Sequence, residues 1–185
     1  MSFKTVPAYV QHPAGWPDAT REHPAIDFMF EFEQALDFGD LKTQGYPASH
    51  LTADFVYKCN GTAHPPGKPS WDKYTADIAG FTAHYHEPLY YVIYETATGW
   101  ELVGTAAIYV NLPAPGEGKV KDLMGREWDF KMQGAAFHFE LVKDASGIKG
   151  VKLGKQEVVG DMLALAAELV KRGMVTWEQA AEMLK

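Results

Sequence analysis

The chain has 185 residues, a net charge of −7, 13% aromatic residues and a single cysteine. That length suits one domain with a real core, and an acidic balance without a Lys/Arg run argues against a nucleic-acid or anionic-membrane partner. No stretch reaches the roughly 20 apolar residues of a membrane span. Met1–Pro7 has no apolar core of a signal peptide, and Cys59 has no internal partner, which together point to a reducing, cytoplasmic setting.

Residues 1–23, rich in Pro, Gly and His, read as an N-terminal arm. Pro24 suits a first helical turn, and Ile26, Met29, Phe30 and Leu36 predict a helix over Ala25–Phe38 that Gly39 stops. In Asp54–Cys59 the residues Phe55, Tyr57 and Cys59 share one face, as in a half-buried strand. Residues 60–70 form a Pro/Gly loop whose Asn60-Gly61-Thr62 reads as a turn, and Ser70 caps a helix from Trp71 to about Thr82. Strands follow at Pro88–Glu95, Trp100–Leu112, Glu127–Val142 (bent at Gly134) and Ile148–Leu153, with a long loop over 113–125. Two helices end the chain. The first, Asp161–Arg172, carries a wide apolar face, and a Thr176-Trp177-Glu178-Gln179 capping box opens the second. The order gives an α+β domain over 24–153 and a C-terminal helix pair in 154–185, acting as a lid or an interface.

The most informative stretch is Ala83–Glu95, where His84 and His86 stand at the mouth of a β-branched and aromatic run. Histidine exchanges protons near neutrality, and alternate residues of a strand share a face. Asp37, at the end of the first helix, is a carboxylate where the helix dipole disfavours one. Paired with a pocket histidine it would fix the tautomer and raise the basicity of the free nitrogen. Glu33 lies one turn earlier on the same face.

The order of elements and these residues resemble the NTF2-like superfamily, a curved antiparallel sheet wrapped on N-terminal helices around a deep pocket. Within it the chain is most similar to the scytalone dehydratase branch, with SnoaL-like cyclases and isomerases as cousins. The resemblance implies a pocket aspartate at Asp37, a carbonyl-holding tyrosine at Tyr57 and a pocket histidine at His86 or His84. Leu36 stands where that branch has a tyrosine, Asn111-Leu112-Pro113 where it has a second histidine, and Gly134 and Ala136 where it has a serine and an asparagine. It further implies cofactor-free acid/base dehydration, cyclisation or isomerisation of an apolar polyketide- or terpenoid-like molecule, in a homo-oligomer (dimer or trimer). Catalysis is expected from Asp37, His86, Tyr57 and His84. Substrate contact is expected from Phe55, Trp71, Tyr90, Asn111, Leu112, Met132, Gly134, Ala136 and His138.

Two other readings remain. A non-catalytic ligand- or protein-binding module would have the pocket without a coupled proton pair. Gly80-x-x-x-His84-x-His86 also resembles a first cupin motif, but Tyr90 and Tyr91 stand where its glutamate belongs. His-x-His alone is a weak metal signal, and no metal or cofactor is expected. No phosphate-binding glycine loop or nucleophile elbow is present in the sequence, and Cys59 reads as core.

Overall fold

The computed structural model describes residues 8–13, 15–114, 116 and 118–183, so the leader reading of residues 1–7 lies outside the described residues. In chain order the elements are β1 (Ala8–Gln11), α1 (Pro24–Asp37), β2 (Leu51–Cys59), β3 (Thr62–Ala63), α2 (Lys68–Ile78), β4 (Ala83–Glu95) and β5 (Gly99–Asn111). There follow β6 (Val120–Lys121), β7 (Glu127–Trp128), β8 (Phe130–Lys143), β9 (Val151–Val159), α3 (Leu163–Lys171) and α4 (Trp177–Met183). The main sheet runs β1-β4-β5-β8-β9-β2-β3. It is antiparallel except where β2 lies parallel to β9, a pairing that the expected antiparallel sheet did not contain. The sheet curls around α1 and α2 and leaves a cavity of about 800 Å³ between them.

Local chemistry accounts for the helices. Pro24 occupies the first turn of α1, and His23 Nδ1 accepts the Ala25 N–H at 3.2 Å. Ile26, Met29, Phe32, Glu33, Leu36 and Asp37 form the buried stripe of α1. Helix α2 starts three residues earlier than expected, at Lys68, behind Gly67 in a positive-φ conformation (76°). Ser70 therefore lies inside the helix and does not cap it. Its Oγ accepts the Tyr57 N–H at 2.9 Å and donates to Pro65 O at 2.8 Å, tying α2 to β2.

Strand phase positions the site, and two bulges set it. Strand β4 slips against β5 between Pro88 and Tyr90. Its inward set is therefore His84, His86 and Pro88 before the slip and Tyr91 and Ile93 after it. Tyr90, expected in the pocket, turns away and meets the His12 ring at 4.8 Å between centroids. Strand β8 slips against β5 between Ala135 and Met132, where Gly134 takes φ 72°. Met132 faces the cavity, as do Ala135, Phe137 and Phe139 beyond the bulge. The expected in-phase set of Met132, Gly134, Ala136 and His138 is corrected accordingly. Gly134 and Ala136 are exposed, and His138 Nε2 pairs with Glu101 Oε2 at 2.8 Å on the outer face.

The 113–125 loop carries β6, which pairs with β7 and covers the outer face behind the histidines. Trp128 packs there with Tyr85, Ala107 and Tyr109, and Arg126 stacks 3.9 Å from the Tyr85 ring centroid. Strand β9 runs to Val159, so the sheet extends past the expected boundary at 153. In the C-terminal pair, Leu165 and Leu169 of α3 pack on Val110 and Leu112. The capping box is reciprocal: Gln179 N–H donates to Thr176 Oγ1 at 3.2 Å and Thr176 N–H to Gln179 Oε1 at 2.8 Å. Gly160, Asp161 and Met162 before α3, with Glu182 and Met183 of α4, form part of the cavity wall.

A Cβ at Gly134 would touch nothing within 4 Å, so the cost of Gly134→Ala is backbone strain alone. We expect about 1–2 kcal/mol lower stability in urea unfolding. An unchanged midpoint would show that the bulge does not require its left-handed residue.

Candidate active site

Glu33 and Asp37 stand one turn apart, so their carboxyls leave α1 on one face. Both are buried, at 4% and 5% exposure. They meet the two histidines of β4, which share the inner face. Asp37 Oδ1 lies 2.8 Å from His86 Nδ1, and Asp37 Oδ2 accepts the His86 backbone N–H at 2.9 Å. The His86 carbonyl accepts from Trp16 Nε1 at 3.1 Å. Glu33 Oε2 is 3.1 Å from the same Nδ1. That nitrogen carries one proton and its bond runs to Asp37, so Glu33 Oε2 has no hydrogen-bond partner among the described residues. His84 Nε2 comes within 3.3 Å of Asp37 Oδ1, yet neither of its ring nitrogens makes a hydrogen bond among the described residues.

The charges of the cluster depend on one another. Burial alone would lower the His86 pKa, but Glu33 and Asp37 outweigh it and hold the imidazolium well above the usual histidine range. Burial raises the Glu33 carboxyl, opposed by the His86 charge beside it. His84 is pushed down to about 4, first by burial and then by repulsion from His86. The cluster at neutral pH is therefore a charged His86 beside a neutral His84.

Glu33, His84 and His86 line the cavity, while Asp37 sits behind them. Both Asp37 oxygens are engaged by His86, so Asp37 orients that ring and does not itself reach a ligand. With Nδ1 so occupied, Nε2 is the His86 nitrogen left for a ligand. Tyr57 also lines the cavity, but its hydroxyl donates to Asp77 Oδ2 at 3.1 Å, and Asp77 in turn pairs with Lys73.

Of the expected substrate contacts, Met132 lines the cavity. Phe55 and Trp71 are fully buried in the core behind its wall. Asn111 Oδ1 accepts the Asp129 N–H at 3.0 Å, and Leu112 is covered by α3. Tyr90, Gly134, Ala136 and His138 lie outside the cavity for the reasons of phase given above. The cavity wall also holds Tyr74, Tyr91 and Gln156, which the sequence reading did not single out. Tyr74 had a signal, since it falls in phase with Trp71 and Ile78 on α2.

Asp37, His84 and His86 bring one oxygen and two nitrogens within 4.8 Å of one another, the group among the described residues that could hold a metal ion. The Nδ1–Oδ1 spacing of 2.8 Å is also that of a charge-assisted hydrogen bond, which accounts for two of the three atoms through a proton.

No protein-family model and no curated protein sequence matches the chain. Solved structures do. ActVI-ORFA from Streptomyces coelicolor aligns at TM-score 0.54 and 16% identity, over 78% of this chain and 97% of that one. A scytalone dehydratase-like protein from Novosphingobium aromaticivorans aligns at 0.56 and 12% identity, over 78% and 87%. Nuclear transport factor 2 from Cryptosporidium parvum aligns at 0.51 and 11% identity, over 73% and 90%. At these identities the likeness is one of fold: the chain forms an NTF2-like cone, an architecture shared by enzyme-like proteins and by transport factors.

The lowered His84 pKa has a consequence for stability. Between 6.5 and about 4 the unfolded chain takes up a proton on this residue and the folded chain does not. Its contribution is present above pH 6.5 and lost as pH falls, amounting to about 3 kcal/mol. His84→Leu is expected to flatten the stability difference between pH 7 and pH 4.5 in urea unfolding. An unaltered difference would assign the acid sensitivity to other groups.

Proposed function

We propose that the protein is an acid/base catalyst of the lyase or isomerase type, acting on an apolar, oxygenated small molecule held in the cone. The single observation that carries this reading is the His86 ring, held by Asp37 at 2.8 Å and flanked by Glu33 at 3.1 Å at a cavity wall that is otherwise mainly apolar.

Each group has a part. The charged His86 is a proton donor through Nε2. Glu33, with a raised pKa and an Oε2 that makes no hydrogen bond among the described residues although it lies 3.1 Å from His86 Nδ1, is a carboxylate suited to take a proton from carbon. In a dehydration Glu33 removes the proton next to a carbonyl, the C–H electron pair becomes the new double bond, and the C–O bond breaks. The His86 proton goes to the departing oxygen, which leaves as water. In an isomerisation the same two groups move a proton from one carbon to another. Asp37 is a positioning residue that keeps His86 charged and aligned. Scytalone dehydratase-like and ActVI-ORFA neighbours support this choice over a purely binding module, whose counterpart is the transport-factor neighbour.

The test uses 3-hydroxy-1-tetralone, whose dehydration gives fluorescent 1-naphthol. Wild-type protein is expected to accelerate this loss of water, and Glu33→Gln and His86→Ala to reduce the rate roughly 100-fold or more. The pH–rate profile is expected to be a bell displaced upward, its acid limb from Glu33 above the ordinary carboxylate range and its alkaline limb from His86 well above the ordinary histidine range. Asp37→Asn removes the carboxylate that raises His86, so its alkaline limb moves to lower pH. Full activity in Glu33→Gln and His86→Ala would end this reading.

The metal alternative is checked separately. Proton transfer by side chains alone survives exhaustive chelation. Stoichiometric zinc, iron or manganese lost on His84→Leu, with activity lost alongside it, would replace this mechanism by a metal-assisted one.

A further inference from the structure

Outside the proton cluster, three buried polar atoms of cavity-lining residues lack a hydrogen bond among the described residues: the Tyr74 and Tyr91 hydroxyls and Gln156 Oε1; the first and last of these sit together. Tyr74 and Gln156 are each only 3% exposed. A buried polar atom left unpaired costs about 1–3 kcal/mol, so such atoms call for a partner. Both residues line the cavity. They are also neighbours: Gln156 pairs with Tyr57 across β9 and β2, and the Tyr74 ring packs on the Tyr57 ring at 5.2 Å. Trp71, 5.8 Å away on the same helix, holds the Tyr74 ring from another side.

We infer that Tyr74 and Gln156 form a subsite for a neutral hydroxyl group of the ligand, next to the Glu33–His86–Asp37 cluster. One hydroxyl answers both atoms. Its oxygen accepts from the phenol, and its hydrogen goes to the carboxamide oxygen. A carbonyl or ether oxygen satisfies the phenol alone. A carboxylate is opposed by the surroundings. Burial, with the charges of Glu33 and Asp37, outweighs the lowering contact of the neighbouring Gln156 side chain and holds the Tyr74 phenol protonated well above the ordinary tyrosine range, and that same field repels an anion. Tyr57, the expected holder of the ligand oxygen, has its hydroxyl proton committed to Asp77, and Tyr74 takes over that part.

The inference deepens the proposed function by naming a ligand group, but it concerns binding and is tested without turnover. The probes are 1-naphthol and naphthalene, which differ by one hydroxyl, titrated into wild-type protein by calorimetry or by fluorescence. Wild type is expected to bind 1-naphthol at least 10-fold more tightly than naphthalene. Tyr74→Phe, which removes a single oxygen and keeps the ring, should weaken 1-naphthol about 5- to 10-fold and leave naphthalene unchanged. Gln156→Leu should do the same. His86→Ala should keep the preference for the naphthol. Equal binding of the two probes by wild type, or undiminished naphthol binding by Tyr74→Phe, would overturn the inference and mean that only a resident water satisfies these atoms. Loss of the preference in His86→Ala but not in Tyr74→Phe would also overturn it, placing the hydroxyl at the proton cluster and leaving the catalytic proposal standing. Loss of turnover with the preference intact in every other variant bears on the mechanism and leaves this subsite in place.

Discussion

Two carboxylates are buried at the end of the first helix against a half-buried imidazole, and the arrangement around them follows from the cost of that burial. An isolated buried carboxylate is severely penalised, and a pair on adjacent helical turns repel each other. The charge on His86 offsets both terms, provided that the ring is held within hydrogen-bond distance of Asp37. Holding it there requires a helix whose last turn meets a strand. That meeting is made by the one side chain that bonds both the ring and the backbone of His86. The lowered pKa of His84 follows too, since a second positive charge in the same space is disfavoured.

Sheet irregularity carries the cavity. A regular β4 would send Tyr90 inward and Tyr91 outward, and a regular β8 would send Gly134, Ala136 and His138 inward beside Met132. The two slips against β5 exchange these sets. The wall gains Tyr91, Phe137 and Phe139, and His138 joins Glu101 outside. The polarity of the far end of the site therefore comes from α2 and β9, through Tyr74 and Gln156, more than from the third long strand.

Much of this was legible in the residues. The helical spacing of α1, the alternation Phe55-Val56-Tyr57 and the capping box at Thr176 are local signals that tertiary packing did not override. A meeting of Asp37 with a histidine was legible, because a carboxylate at a helix C-terminus is unfavourable without a partner; that His86 rather than His84 makes the short bond was not. The slips were not, because a bulge adds one residue without changing composition, and only Gly134 hinted at it. The run of β9 past Leu153 was not legible, because the parallel pairing with β2 that continues it is non-local. Glu33 was visible as a residue of the right face. Its role depends on the single proton of His86 Nδ1, which no sequence pattern encodes.

The contacts on the His86 backbone reach beyond the ring they orient. Strand β1 pairs with β4 only from Tyr91 to Tyr94, so among the described residues the stretch holding the histidines has no neighbouring strand on that side. Such a stretch offers bare amide and carbonyl groups, a template on which another chain could add a strand. At His86 both groups are already taken, the amide by Asp37 and the carbonyl by Trp16. The side chain that orients the imidazole thus also closes an amide on the open edge of the strand. Replacing Asp37 would therefore strip two groups at once, leaving the imidazole and an edge amide of the same residue without their acceptor.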